Sequence, residues 1–108
     1  MKKLSGILAI YIISFSGTAW DGVKTGKVAS VDVTGGTNYG FRVVLEGAPK
    51  LCGNGHGWAY INEPDSNYQT YVSVLLAAKM AGSTVTIYAN QERNSGNGYC
   101  HIGYISVR

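Results

Sequence analysis

The sequence of 108 residues contains little charge, little cysteine and no long apolar run. Charged residues make up 14% of the chain, and only two residues are cysteines. The most apolar stretch extends from Leu4 to Phe15 and is broken at Ser14, Ser16 and Gly17. Because a membrane-spanning helix needs roughly 20 apolar residues, this stretch is too short to favour a membrane anchor.

The first 19 residues, "MKKLSGILAIYIISFSGTA", have the features of a secretory signal peptide. Two lysines open the segment, the apolar stretch follows, and small residues stand at Gly17 and Ala19. We therefore expect cleavage after Ala19. Residues 20–108 then form a single exported domain, which is secreted or, in a bacterial cell, periplasmic.

The basic residues are few and scattered. Of nine basic residues, Lys2 and Lys3 leave with the signal peptide, so seven remain against six acidic residues and the net charge falls from +3 to +1. A nucleic-acid-binding surface concentrates its basic residues in one patch. The remaining lysines and arginines stand singly, and we expect no nucleic-acid partner.

The two cysteines, Cys52 and Cys100, are predicted to form a disulfide. A domain of this size buries only about 60 to 65% of its unfolded surface, and a cross-link over this span contributes about 4 kcal/mol in the chain-entropy model. With His56 and His101 the cysteines also have the composition of a zinc site. Cys100 and His101 are neighbours on a predicted strand and point to opposite faces, so we expect no metal and no cofactor.

Five segments have the pattern of strands. In "GKVASVDVT" one face carries Ala29, Val31 and Val33, which we expect to be the buried face. The segment "YGFRVVLEG" alternates in the same way and is predicted to form a hairpin with the first through the turn "GGTN". The other three runs are Trp58–Ile61, "TVTIYA" and "YCHIGYISV". In "TVTIYA" one face carries Val85 and Ile87, and the other carries Thr84, Thr86 and Tyr88.

One helix is predicted, from Tyr68 to Ala81. Asp65, Ser66 or Asn67 is placed to cap its first turn, and Gly82 suits a left-handed C-cap. The expected buried stripe consists of Tyr68, Tyr71, Val72, Leu75, Leu76 and Met80.

The element order is three strands, one helix and two strands. This order predicts a mainly β protein with the OB-fold, a five-stranded, partly open barrel with its helix between strands 3 and 4. Another small fold with the same element order is the alternative.

Catalytic motifs are absent from the sequence. No serine stands in a strained elbow motif, and a domain this small seldom provides a cleft for paired carboxylates. We expect a binding protein and not an enzyme. Eight tyrosines and two tryptophans could stack on sugars, although the same rings could fill a small core.

Two segments, "WDGVKTGKVASVDVTGGTNYGFRVVLEG" and "AAKMAGSTVTIYAN", resemble the B subunit of subtilase cytotoxin and its pertussis-like toxin relatives. Small exported bacterial proteins with a similar "LLAAK" and "TVTIY" pattern share the resemblance. It implies a homopentamer of OB-fold subunits that binds cell-surface glycans, often sialylated, and carries a catalytic A subunit.

The resemblance also implies a glycan site. Thr25 and Gly26 occupy the position of a hydroxyl-glycine pair that contacts sugar, and Tyr88 supplies an aromatic face. Lys24, next to Thr25, departs from the family pattern, and we expect its ammonium group to favour an acidic sugar. The alternative for Tyr88 is a structural pairing with threonines across the sheet. The alternative for the whole protein is a stand-alone exported OB-fold module that binds a ligand or a protein and has no toxin partner.

Overall fold

The structure, a computed structural model, describes residues 19–108. The predicted signal peptide lies outside these residues except for Ala19, so its export and cleavage stay predictions. The described chain forms five strands and one helix in the predicted order: β1 Gly22–Val33, β2 Phe41–Leu45, β3 Ala59–Ile61, α1 Tyr68–Ala81, β4 Thr84–Gln91 and β5 Cys100–Val107.

All five strands belong to one sheet with the order β1-β2-β3-β5-β4. The long strand β1 pairs with β4 through residues 22–27 and with β2 through residues 28–33, so the sheet closes into a ring. The parallel pairing of Ala59 with Cys100 and Tyr60 with His101 joins β3 to β5. With this short pairing the ring is closed, whereas the sequence predicts a partly open barrel.

The buried face predicted for β1 is wrong at two of its three positions. Val28 is 6% exposed, whereas Ala29 is exposed and Val33 is 72% exposed. The pairing with β2 shifts between Val28 and Ser30, so Ala29 is the additional residue of a β-bulge. A bulge reverses the alternation of side chains, and Val31 consequently packs on the same core as Val28.

The alternation predicted for β2 and β4 is confirmed. Phe41, Val43 and Leu45 of β2 are buried, as are Val85 and Ile87 of β4. These residues form one core inside the ring with further buried side chains, among them Leu51, Cys52, Ala59, Ile61, Leu75, Ala89, Cys100 and Ile102.

The helix α1 has the predicted bounds and the predicted C-cap. Gly82 adopts the left-handed conformation with φ of 68°, where a residue without Cβ has no steric penalty. The N-cap residue is Asn67, but its side chain makes no capping hydrogen bond. Asp65 instead accepts a hydrogen bond from the Asn62 backbone N–H at 2.8 Å, so the predicted side-chain cap is wrong.

The apolar stripe predicted for α1 is too broad. Leu75 and Ala78 are buried, but Leu76 is 41% exposed and Met80 is 88% exposed. Tyr68, Tyr71 and Val72 are partly buried and pack against the core as predicted, so only Leu76 and Met80 of the predicted stripe point to solvent. In residues 19–108 no helix is both long enough and apolar enough to cross a membrane.

Candidate functional site

The outer surface of β1, β4 and β5 carries two parallel rows of side chains. Pairing of the strands places Val23, Tyr88 and Tyr104 side by side, and it places Thr25, Thr86 and Ser106 side by side in the next row. Two residues along a strand span roughly 7 Å. An aromatic row therefore lies next to a row of hydroxyl groups at a separation comparable to the size of a sugar ring.

The aromatic row is widened by Trp20, and we call Trp20, Tyr88 and Tyr104 the aromatic platform. The rings of Tyr88 and Tyr104 stack with a centroid distance of 4.6 Å and an interplanar angle of 19°. Trp20 approaches Tyr88 edge-on at 5.8 Å and Tyr104 at 6.4 Å. Tyr104 is 52% exposed. The platform thus holds three rings in contact with one another while leaving part of their surface open to solvent.

Gly103 makes room for Trp20 in the platform. The pairing of β4 with β5 shifts after Tyr88 and Tyr104 to Ala89 and Ile102, so Gly103 is the additional residue of a bulge. A Cβ atom on Gly103 would overlap with Cζ3 of Trp20. The absence of a side chain here lets the indole ring lie over the β5 backbone.

The hydroxyl row contains a direct contact between Thr25 and Thr86. Their Oγ1 atoms are 2.8 Å apart, and either atom can be the donor. A hydroxyl group has one donor and two acceptor positions, so this bond leaves capacity on both threonines for a ligand.

The structure separates the four residues predicted for the glycan site. Thr25 and Tyr88 lie on the outer face in neighbouring rows, which are two residues apart along the strands. Lys24 pairs with Ile87 and Gly26 with Val85, and both partners are buried, so Lys24 and Gly26 belong to the opposite face of β1.

The basic residue on the same face as Thr25 is Lys27. It pairs with Thr84 in the row after the hydroxyl row. Neither salt bridge found within residues 19–108 involves Lys27, so its ammonium group has no ion-pair partner there. Side chains two positions apart on a strand lie on the same face. The spacing of Lys27 from Thr25 could therefore have identified Lys27 from the sequence.

A second group of rings covers the outer surface of β3 and the first part of β5. We call it the loop cluster, because most of its members come from the segments between strands: Tyr39, His56, Trp58, Tyr60, Tyr99 and His101. Tyr39 contacts Tyr60 and Tyr99 edge-on at 4.7 and 4.8 Å, and Trp58 contacts Tyr99 at 4.7 Å. Tyr60 at its centre is 5% exposed.

The polar groups around the loop cluster are engaged within the protein. The Arg42 guanidinium lies 4.8 Å from the centroid of the Trp58 ring and donates to the Tyr39 carbonyl. His101 Nε2 lies 2.8 Å from Asp65 Oδ2, and His56 Nε2 lies 3.2 Å from the Asn97 carbonyl oxygen. Arg42 and His101 thus tie connecting segments to the sheet, and His56 joins two connecting segments to each other.

Burial also changes the chemistry of Tyr60. Desolvation raises the pKa of its phenol well above the usual range, and the negative charge of Glu92 adds to the effect. Hydrogen bonds from Ser95 in turn hold the pKa of the Glu92 carboxyl below its usual range. The tyrosine therefore stays neutral and packed inside the cluster.

The predicted disulfide between Cys52 and Cys100 is confirmed, and both residues are fully buried. It joins the segment after β2 to the start of β5, directly beneath the loop cluster. Among residues 19–108, no group of three or more histidine, cysteine or acidic residues is placed to hold a metal ion.

No protein-family model, no curated protein and no solved structure matches this chain.

Proposed function

We propose that this protein is a glycan-binding module of the toxin B-subunit type, with the OB-fold, and that its site is the outer face described above. The observation that carries the proposal is the row of aromatic rings beside the row of hydroxyl groups. A sugar presents a flat C–H face and a rim of hydroxyls, so one ring can lie on the aromatic platform while its rim reaches Thr25 and Thr86. The module binds and does not catalyse.

An acidic sugar, such as a sialic acid, suits this face best. Lys27 lies beyond the hydroxyl row on the same face and offers three N–H donors to a carboxylate. Exposed ion pairs contribute roughly 0 to 1 kcal/mol each, so the lysine selects among sugars more than it supplies affinity. In this proposal Lys27 takes the role that is predicted for Lys24.

The proposal includes a ring of subunits, for which five is the number that the resemblance implies. Leu76 and Met80 form an exposed apolar strip on α1 that does not pack in the core of the subunit. Contact between copies in the ring would cover this strip. Ring assembly also strengthens weak sites, because linked sites gain on the order of 100-fold in avidity. A catalytic A subunit carried by this ring is the remaining part of the proposal.

A glycan array tests the proposed function. Wild-type protein is expected to bind sialylated glycans, and Thr25→Ala is expected to lose most of that signal, since each copy loses hydrogen bonds and multivalency magnifies the loss. Thr37→Ala serves as the control, because Thr37 is an exposed threonine in the turn between β1 and β2.

Both variants should unfold at nearly the wild-type temperature. If the folded wild type binds no sialylated or neutral glycan, the proposed function is wrong. If Thr25→Ala binds as well as wild type, the assignment of the site is wrong.

A further inference from the structure

A groove lies between α1 and β5, next to the aromatic platform. It has a volume of about 400 Å³, which falls within the range of roughly 300 to 1,000 Å³ that is typical of small-ligand sites. Its walls are mostly apolar or aromatic, and two polar lining residues, Asn67 and Thr70, come from the N-terminal end of α1. The lining residues are Asn67, Thr70, Tyr71, Val74, Tyr104, Ile105 and Val107.

The groove and the aromatic platform share one side chain. The ring of Tyr104 stacks on Tyr88 of the platform and also lines the groove. A molecule that lies on the platform can therefore continue into the groove without a gap in the contact surface.

The groove is held open by the backbone arrangement. The parallel pairing of β5 with β3 involves only Cys100 and His101, so residues 104–107 of β5 pair with β4 alone. The side chain of Tyr71 lies along this edge, and its hydroxyl donates to the Gly103 carbonyl at 2.9 Å. This bond fixes the spacing between the helix and the strand at one end of the groove.

We propose that the groove is a second subsite, which takes the next unit of an oligosaccharide whose terminal unit lies on the platform. The inference rests on the proposed function. The apolar face of the second sugar packs on Val74 and Val107, and its hydroxyls reach Asn67 and Thr70 at the N-terminal end of α1. The exposed strip of Leu76 and Met80 belongs to a different face of α1, so assembly through that strip leaves the groove accessible.

Calorimetric titration with two soluble, monovalent probes tests the subsite. The probes are the methyl α-glycoside of N-acetylneuraminic acid, which has one sugar unit, and α-2,3-sialyllactose, which has two more units. Wild type is expected to bind the trisaccharide about tenfold more tightly, a difference of 1.4 kcal/mol. Monovalent probes report the affinity of one site and are independent of how many copies assemble.

Two variants and one control test whether the groove causes the difference in affinity between the two probes. Val74→Trp fills the groove and is expected to bring the two affinities to within about twofold, with the monosaccharide affinity unchanged. Thr70→Ala, an exposed helical position that tolerates truncation, is expected to weaken only the trisaccharide, by about threefold. Ser73→Trp adds the same bulk at an exposed position of α1 that does not line the groove, and it should leave both affinities unchanged.

The outcomes separate the subsite from the proposed function. If wild type binds both probes equally, or if Val74→Trp and Thr70→Ala both retain the full preference for the trisaccharide, the groove is not a subsite and the platform proposal stands. If wild type binds neither probe at millimolar concentration, sialoglycan binding and the subsite are both overturned.

Discussion

The aromatic platform and the loop cluster are built from the same residue types on the same sheet, yet they differ in what surrounds the rings. In the loop cluster a buried tyrosine is enclosed by other rings, and Arg42, His56 and His101 all bond to groups of the protein. In the platform the Tyr104 ring is half exposed and the neighbouring row consists of hydroxyls. Aromatic content alone does not identify a binding surface. The two regions differ in their neighbouring polar groups, which bond within the protein in the loop cluster and keep capacity for a ligand beside the platform.

The largest expected effect is on stability, and it follows from reduction of the disulfide beneath the loop cluster. Cys52 and Cys100 are 48 positions apart in sequence, and the chain-entropy model gives about 4 kcal/mol for a loop of this length. Reduction is therefore expected to lower the free energy of unfolding by about this amount. Urea unfolding with and without reductant measures it. A change below about 1 kcal/mol would show that the cross-link contributes little to this region.

The second prediction concerns alkaline pH and Tyr60. Because burial raises the pKa of Tyr60 in the folded protein, the unfolded chain loses this proton first, near pH 10. The folded state then holds more protons than the unfolded state, and the free energy of unfolding falls as the pH rises above 10. In Tyr60→Phe this fall is expected to be shallower. Urea unfolding at several pH values from 9 to 12 gives the comparison, and parallel curves for the two proteins would disprove it.

The third prediction concerns the platform, where the expected loss is in binding and not in stability. In Gly103→Ala the new Cβ displaces the indole of Trp20, so affinity for α-2,3-sialyllactose is expected to fall about tenfold. The free energy of unfolding should change by less than about 1 kcal/mol, since a side-chain end moves and no backbone does.

Gly26→Ala is the matched control for that change. A Cβ on Gly26 would meet its nearest atoms, on Leu45, at 3.8 and 3.9 Å, which are ordinary contact distances. Equal affinity losses in Gly26→Ala and Gly103→Ala would return Gly26 to the site and remove the distinction between the two faces of β1.

The smallest expected effect is a loss of affinity that distinguishes Lys27 from Lys24, the two lysines of β1. Lys27→Ala is expected to weaken binding of α-2,3-sialyllactose by about threefold, and the loss should shrink in high salt because an exposed charge pair is screened. Lys24→Ala, on the opposite face, should leave the affinity unchanged. Titration of both variants at two salt concentrations decides the point, and a larger loss for Lys24→Ala would reverse the assignment.

Several local features of the fold could be predicted from the sequence because they depend on neighbours along the chain. The bounds of α1 follow from its periodicity and from Gly82, and the faces of β2 and β4 follow from strict alternation. The buried face of β1 could not be predicted, because the bulge at Ala29 is set by pairing with β2. The exposure of Leu76 and Met80 depends in the same way on how much of the helix the ring covers.

The candidate site was predictable only in part. The family resemblance implies Thr25 and Tyr88, and these two residues do share the outer face of the sheet. Trp20 and Tyr104 join them through pairings across β1, β4 and β5 and through the bulge at Gly103, which no single segment encodes. Tyr39 and Tyr99 stand 60 positions apart and meet only when the ring closes.

We propose that the platform binds glycan while the loop cluster stabilises the fold. Each region contains one tryptophan, Trp20 in the platform and Trp58 in the loop cluster. Fluorine NMR of protein containing 5-fluorotryptophan gives one resonance for Trp20 and one for Trp58, assigned with Trp20→Phe and Trp58→Phe. During titration of the unmodified sequence with α-2,3-sialyllactose, the Trp20 resonance is expected to shift progressively and saturate while the Trp58 resonance stays in place. A shift of Trp58 with Trp20 unchanged would contradict the account and move the site to the loop cluster.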